Sequence, residues 1–290
     1  MYGRAEAPAA GTVVNALATG TGSAFAIEKF VRSSVELSPD EPDVRGEIAN
    51  NPDADTSLIE RCVELVTTEF GRGEGGTVRT EGDIPLAAGL KSSSAAANAT
   101  VLATLDALEV AVGTGPDAAL DRVTAALIGV KAAREVGVTV TGAYDDASAS
   151  MLGGVTITDN DTDELRSHEP LDRSVLVWTP PERAYSADAD VDRCKRIAPL
   201  AEVATELAMD GEYGRAMNVN GLAFCSALEF PTEPLLEALP EAEGVSLSGT
   251  GSSYVAIGDR NQLHEIRERW AARDGTTWLT KTQNEGAKRV

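Results

Sequence analysis

Residues Ile84–Val110 read IPLAAGLKSSSAAANATVLATLDALEV and join a loop of small residues to the start of a helix. Gly89 permits a backbone conformation that other residues avoid, and three consecutive serines, Ser92–Ser94, follow it. The alanine-rich run after them predicts a helix with apolar positions such as Val101 and Leu105. The first N–H groups of a helix lack partners and lie at its positive end, so this junction is suited to binding phosphate. The alternative is that a serine simply caps a core helix.

Length, composition and net charge exclude some classes of protein. The chain has 290 residues, enough for two domains or one large one, and 42% of them are hydrophobic. Its formal net charge of −21 argues against a nucleic-acid partner, whose phosphates would be repelled. No apolar run approaches the roughly 20 residues that span a bilayer, so no membrane partner is expected. Of the 25 basic residues 19 are arginine, and an acid-rich, lysine-poor composition is typical of halophile proteins.

Two further features predict a cytoplasmic protein. The N-terminus lacks a charged start followed by a long apolar core, which argues against a signal peptide. The three cysteines, Cys62, Cys194 and Cys225, are odd in number and far apart. This spacing is typical of reduced core residues rather than of a disulfide framework or a zinc site.

Hydrophobic periodicity predicts several further elements. A strand is expected over Val31–Leu37, and helices are expected over Ser57–Phe70, Pro116–Val136, Asp192–Met209 and Tyr213–Leu228. In the first of these helices, Ser57 and Glu60 have the spacing of a capping box. Residues 138–159 are expected to form a strand, a loop, a helix of small residues and a strand.

Two other patterns carry potential chemistry. Asp145 and Asp146 are adjacent in a predicted loop that otherwise lacks charge. Such a pair either forms an Asx turn or supplies a general base and holds a metal. Ser248–Ser252 reads SGTGS and predicts a glycine turn between two strands, which is a common feature by itself.

Together these patterns resemble the motifs of the GHMP kinases. The phosphate loop at 85–96, the acidic pair at 145–146 and the glycine turn at 248–253 follow one another in the family's order. The resemblance covers nearly the whole chain. It implies an α+β fold with an ATP-binding, ribosomal S5 domain 2-like domain over residues 1–160 and a ferredoxin-like domain over 161–290.

Two longer matches, Ala9–Phe25 and Thr139–Ala147, resemble the archaeal shikimate kinase branch of this family. This resemblance implies phosphorylation of the 3-hydroxyl of shikimate, in aromatic amino-acid synthesis, with ATP and shikimate as substrates and Mg²⁺ as the cofactor. The alternatives are another small-molecule kinase of the family, homoserine kinase first, or a metabolite-binding module without catalysis. The oligomeric state is not predicted.

The resemblance also assigns site residues. It implies that ATP binds to Pro85, Leu86, Ala87, Ala88, Gly89, Leu90, Lys91, Ser92, Ser93, Ser94 and Ala95. It implies catalysis by the acidic pair, with Asp145 favoured over Asp146 as the base, although family members differ by one residue here. Magnesium is expected on Ser93 and Glu135, unless Glu135 is only a solvated residue in the last turn of a helix. The glycine turn, Gly249, Thr250 and Gly251, is expected to pack against the loop and the substrate.

The chain departs from the family in its cations. Mevalonate kinases carry a lysine in an N-terminal Ala-Pro-Gly-Lys segment, whereas here Pro8 is followed by two alanines. Lys91 stands in the phosphate loop where glycine or serine is usual. Its charge either assists ATP binding or lies in solvent.

Overall fold

A computed structural model of the chain describes residues 1–49, 51–84, 88–181 and 189–290. The strands are β1 (Tyr2–Val14), β2 (Thr21–Ser38), β3 (Val44–Ile48), β4 (Gly75–Gly82), β5 (Val155–Asp159), β6 (Glu164–Glu169), β7 (Ser174–Thr179), β8 (Gly244–Leu247), β9 (Tyr254–Gly258), β10 (Thr276–Lys281) and β11 (Lys288–Arg289). The helices are α1 (Ser57–Phe70), α2 (Ser92–Ala107), α3 (Arg122–Glu135), α4 (Tyr144–Leu152), α5 (Val191–Arg196), α6 (Ala198–Met209), α7 (Tyr213–Leu228), α8 (Glu233–Ala238) and α9 (Arg260–Ala271).

The first sheet is built on the long antiparallel pair of β1 and β2. Its main order is β11-β1-β2-β4-β3, and β5 extends it from the other end of β2, followed by β6. The predicted strand over Val31–Leu37 is confirmed as part of β2, whose alternate residues there are buried as the period of two requires. Helices α2 and α4 pack on β1 and β2. The alanine-rich composition of α2 lets it approach the sheet closely, and most of its residues are buried.

The second sheet has four antiparallel strands in the order β10-β7-β9-β8. Numbered within the sheet this order is 4-1-3-2, with helices between the first two and the last two strands, as in a ferredoxin-like fold. Two sheets with helices packed on them confirm the α+β class that the resemblance implies. Helix α7 contacts both β8 and β1 and so joins the second sheet to the first.

Several predicted helices differ from the observed ones at their ends. Helix α1 has the predicted range, but Thr56 is its N-cap, and Glu60 accepts hydrogen bonds from Thr56 Oγ1 and Gly46 N at 2.9 and 2.7 Å. The predicted capping box of Ser57 and Glu60 is therefore wrong, because Glu60 ties the helix to β3 instead. Helix α7 has the range that periodicity predicts.

Other differences follow from local capping. The helix predicted over 116–136 begins only at Arg122, because the Asp121 carboxylate accepts a hydrogen bond from Thr124 N and caps it there. The helix predicted over 192–209 is divided at Ile197, one residue before α6 begins with Pro199 in its first turn. The strand predicted after residue 138 is absent from this described part of the chain, where 138–143 form an irregular segment.

The expected boundary between residues 160 and 161 stays a prediction. The first sheet continues past that point, because β6 pairs with β5. The chain also returns to the first sheet at its other end, where β11 pairs with β1. Residues of the C-terminal half thus complete the sheet that the N-terminal half begins.

The cysteines match their prediction. Cys62, Cys194 and Cys225 are all free and buried. Burial raises the pKa of the Cys62 thiol to about 12, so it stays protonated and unreactive. Among the described residues, none of the helices has the length and apolar character needed to cross a membrane.

Candidate active site

The main cavity, with a volume of about 730 Å³, opens between α1, the start of α2 and the start of α4. Its polar lining includes Lys91, Ser92, Ser93, Ser94, Asp146 and Thr250. Apolar side chains also line it, and they include Ile48, Ile59, Val130, Ala133 and Val138. A cavity that combines apolar side chains with a few polar groups is typical of a site for a small molecule.

The start of α2 contributes several of the polar residues that line the cavity. Lys91 is its N-cap, in the left-handed conformation with φ 63° and ψ 29°, and its side chain makes no capping hydrogen bond. The first turn, Ser92–Ser94, contains no acidic residue. The residues of this turn line the cavity, so the positive end of a 16-residue helix lies beside it, which is an arrangement that favours anions.

The remaining loop residues have different positions. Ala88 and Gly89 line the main cavity, whereas Leu90 and Ala95 are buried behind it. Three predicted loop residues, Pro85, Leu86 and Ala87, lie outside the described residues.

The glycine turn packs directly against this loop. Ser248 Oγ donates a hydrogen bond to the carbonyl oxygen of Gly89 at 2.8 Å, and Ser253 N donates to that of Ala88 at 3.2 Å. Gly89 has φ +75°, and a Cβ atom there would lie 2.1 Å from the carbonyl oxygen of Ser248. Only glycine fits between the two segments, so the turn holds the loop in its conformation.

The three predicted residues of the turn do not all reach the cavity. Gly249 and Thr250 line it. Gly251 instead lies against Phe230, since a Cβ atom on Gly251 would come within 2.5 Å of the Phe230 ring.

The acidic pair lies in the first turn of α4 rather than in the expected loop. Asp146 lines the cavity, and its Oδ1 lies 2.9 Å from Nζ of Lys91. Asp145 points the other way, where its Oδ1 accepts a hydrogen bond from Asn160 Nδ2 at 2.8 Å and its carboxyl group packs against Gly22. Successive residues of a helix face different directions, so only one of the two carboxylates can reach the main cavity.

Asp146 has an unusual acidity. The pKa of its carboxyl group is raised to about 7, chiefly by burial and also by the neighbouring charge of Asp145, while Lys91 acts in the opposite direction. A carboxyl group with a pKa near neutrality can accept a proton at physiological pH and release it again. Perturbed acidity of this kind in a cavity is typical of a functional group.

The structure does not bring Glu135 to the cavity. Helices α1 and α3 pack side by side, and Glu135 forms an ion pair with Arg61 of α1 at 2.6 Å, with 37% of the Glu135 side chain exposed. Ser93, the other expected magnesium ligand, does line the cavity. Among the described residues, no group of three or more histidine, cysteine or carboxylate side chains could hold a metal by itself.

Sequence reasoning did not find Asn160. This buried residue accepts a hydrogen bond from Asp145 N at 3.2 Å through its Oδ1 and donates through Nδ2 to the Asp145 carboxylate. It fixes the start of α4 and the direction of Asp145. No local pattern marks it, because it lies among the aspartates that begin at Asp159, next to the expected domain boundary.

The α+β fold and the loop at the start of α2, which has the form of a phosphate-binding loop, together define a class of phosphotransferases that act on small molecules. A family model for the GHMP kinases N terminal domain matches residues 57–154, which include the loop and the acidic pair. The chain belongs to the GHMP kinase family.

The chain is similar to shikimate kinases over its whole length. It is 61% identical over 288 residues to the shikimate kinase of Halobacterium salinarum, a match that covers 99% of both chains. It is 49% identical over 290 residues to the shikimate kinase of Methanosarcina mazei, covering 99% of this chain and 96% of that protein.

Solved structures of the same fold have much lower identity. The mevalonate kinase of Methanococcus jannaschii matches with a TM-score of 0.77 at 12% identity, over 98% of this chain and 99% of that one. The homoserine kinase of Cytophaga hutchinsonii matches with a TM-score of 0.76 at 15% identity, over 100% and 97%. At these identities the likeness shows the fold alone.

Proposed function

We propose that this protein is an ATP-dependent shikimate kinase, which transfers the γ-phosphoryl group of ATP to the 3-hydroxyl of shikimate and releases ADP. The observation that carries the proposal is the position of Asp146, whose carboxylate faces an anion-binding helix start inside one cavity. Full-length similarity to shikimate kinases at 61% identity supports shikimate as the substrate.

The lining of the cavity suits ATP. Its apolar side chains, such as Ile48, Ile59 and Val130, offer a surface on which an adenine ring can pack. The N–H groups of Ser92–Ser94 would hold the phosphates. This binding mode would bring the γ-phosphate close to Asp146 and the glycine turn.

Asp146 is proposed as the general base in place of Asp145. The shikimate hydroxyl oxygen attacks the γ-phosphorus, the bond from that phosphorus to the β-phosphate oxygen breaks, and the hydroxyl proton passes to the Asp146 carboxylate. Asp145, which Asn160 holds away from the cavity, is proposed as a positioning residue for the first turn of α4.

Magnesium fits the oxygen donors of this site. Mg²⁺ commonly takes only one or two protein oxygens and completes its coordination with phosphate oxygens and water, so a dedicated cluster is not required. The Ser93 hydroxyl at the start of α2 is proposed as the protein ligand. The ion would neutralise phosphate charge. Glu135 is not carried forward, because Arg61 holds it on the surface.

A substrate panel tests the proposal. Purified protein in molar KCl with ATP and Mg²⁺ is assayed for ADP release with shikimate, homoserine, mevalonate or galactose, and the product is identified by ³¹P NMR. We expect rapid turnover with shikimate alone and phosphate on the 3-oxygen. Equal or faster turnover of homoserine would contradict the proposal, and ATP binding without any turnover would favour a binding module.

A further inference from the structure

Lys91 connects all three motifs of the site. It belongs to the phosphate-binding loop, its Nζ lies 2.9 Å from Oδ1 of Asp146, and only 9% of its side chain is exposed. A Cβ atom added to Gly249 of the glycine turn would lie 2.8 Å from the same Nζ atom. The ammonium group is therefore enclosed between the acidic residue and the glycine turn, and of the two alternatives for its charge, the one that places it in solvent is wrong.

The backbone of Lys91 adds a second observation. Its φ of 63° lies in the left-handed region, which glycine adopts without steric cost and which other residues adopt rarely. A strained conformation of a charged residue at the edge of a site points to a role for its side chain. From this backbone conformation the side chain reaches Asp146.

Lys91 is also the one basic residue that lines the main cavity within the described part of the chain. Phosphoryl transfer to a hydroxyl brings a triphosphate and a carboxylate base together, so the site must offset repulsion between anions. The helix start supplies partial positive charge, but a full charge next to the transferred group stabilises it far more in a poorly solvated cavity.

We propose that Lys91 is the cation of the transfer step, with its ammonium bridging the Asp146 carboxylate and the γ-phosphate of ATP. This inference rests on the proposed function of the cavity. An ammonium group has three N–H donors, so it can donate to Asp146 and to a phosphate oxygen at the same time. The hydroxyl proton passes to Asp146, and ADP leaves as the γ-phosphoryl group bonds to the shikimate oxygen.

The test compares ATP with adenosine as probes of the same cavity. Lys91→Met keeps the apolar stem and removes the charge, so isothermal calorimetry should show ATP affinity reduced about 10- to 100-fold, as for a lost charge-assisted hydrogen bond. Adenosine affinity should not change. Lys131→Met, on the exposed face of α3, is the matched control for loss of one positive charge and should leave both affinities unchanged.

A second comparison separates phosphate binding from simple neutralisation of Asp146. In an Asp146→Asn background, Lys91→Met should still weaken ATP binding by the same factor. If Lys91 only neutralises Asp146, the double variant would bind ATP as tightly as Asp146→Asn alone, and the inference would be overturned. Where Lys91→Met proves unstable, Lys91→Gly carries the test, because glycine fits the left-handed backbone.

The two proposals fail in distinguishable ways. Loss of ATP affinity in Lys91→Met, in a protein that does not phosphorylate shikimate, would contradict the proposed substrate and support the role of Lys91. Rapid shikimate phosphorylation combined with an unchanged ratio of ATP to adenosine affinity in Lys91→Met would overturn the role of Lys91 alone.

Discussion

Asn160 Nδ2 donates a hydrogen bond to Asp145 Oδ1 at 2.8 Å and thereby turns one of two adjacent carboxylates away from the cavity. The Asn160 side chain also accepts a hydrogen bond from the backbone N–H of Asp145, so it fixes both the main chain and the side chain there. Asp146 is left as the carboxylate that lines the cavity. This arrangement gives different surroundings to two residues that look equivalent in the sequence.

The first prediction concerns the two carboxylates. Asp146→Asn keeps the shape of the side chain and removes the proton acceptor, so kcat should fall about 10²- to 10⁴-fold. Asp145→Asn should retain most of the kcat and act mainly on stability, lowering the free energy of unfolding by about 1–3 kcal/mol through the altered contact with Asn160. Steady-state kinetics and urea unfolding of both variants in the same salt provide the measurement. The reverse pattern of kcat values would make Asp145 the base.

The second prediction concerns pH. Burial and the charge of Asp145 raise the pKa of Asp146 to about 7, and a base must be ionised to accept a proton. The value of kcat/KM for shikimate should therefore rise with pH up to about 7 and level off above it. Asp145→Asn should move this limb to lower pH, because the variant removes a neighbouring negative charge. A wild-type profile that is flat from about pH 5 to about pH 8 would disagree with this assignment.

The same shift has a consequence for stability. The pKa of Asp146 in the folded protein lies above its unfolded value, so folding favours the protonated carboxyl group. The contribution of this group to stability is fully present below about pH 4 and is lost as the pH rises through about 7.

The third prediction concerns the contact of Gly89 with the glycine turn. A left-handed conformation costs a non-glycine residue about 1–2 kcal/mol. Gly89→Ala also places a Cβ atom 2.1 Å from the Ser248 carbonyl oxygen, so its loss of stability should exceed about 2 kcal/mol and ATP binding should weaken. The measurements are denaturant unfolding and calorimetry with ATP.

Gly73 provides the matched control for this substitution. It has φ +81°, and no atom lies within 4 Å of the position that a Cβ atom would take there, so Gly73→Ala imposes similar backbone strain without the contact. We expect it to lose about 1 kcal/mol and to bind ATP normally. Equal losses in the two variants would mean that backbone strain alone, rather than the glycine turn, makes Gly89 necessary.

The fourth prediction concerns salt. A net charge of −21 on one compact chain produces repulsion that added ions screen. The exposed ion pairs, such as that of Arg45 with Glu41, contribute little and cannot offset this repulsion. The Tm should therefore rise from low to molar KCl in a calorimetric scan. A constant or falling Tm would remove the halophilic interpretation and leave the proposed kinase activity untouched.

The sequence by itself was sufficient to predict several local features of this protein. The apolar periodicity from Ser57 to Phe70 is enough to set the range of α1, because a helix buries one stripe and Gly71 ends it. The run from Gly89 to Ser94 likewise predicted an anion-binding helix start, since the first N–H groups of a helix lack partners within the helix. The order of the three motifs was sufficient to indicate the family.

Only the tertiary structure determined which charged side chains contact one another. Asp145 and Asp146 have the same side chain and neighbouring positions, and the packing of α4 against the first sheet, with Asn160 across from it, decides which of them faces the cavity. Glu135 has the expected spacing from the acidic pair, but because α1 packs against α3, it forms an ion pair with Arg61 instead. Lys91 forms an ion pair with Asp146, which lies 55 positions later in the sequence. No local sequence pattern indicates this contact. Ionic contacts depend on distances between elements, and sequence periodicity reports only which face of each element is buried.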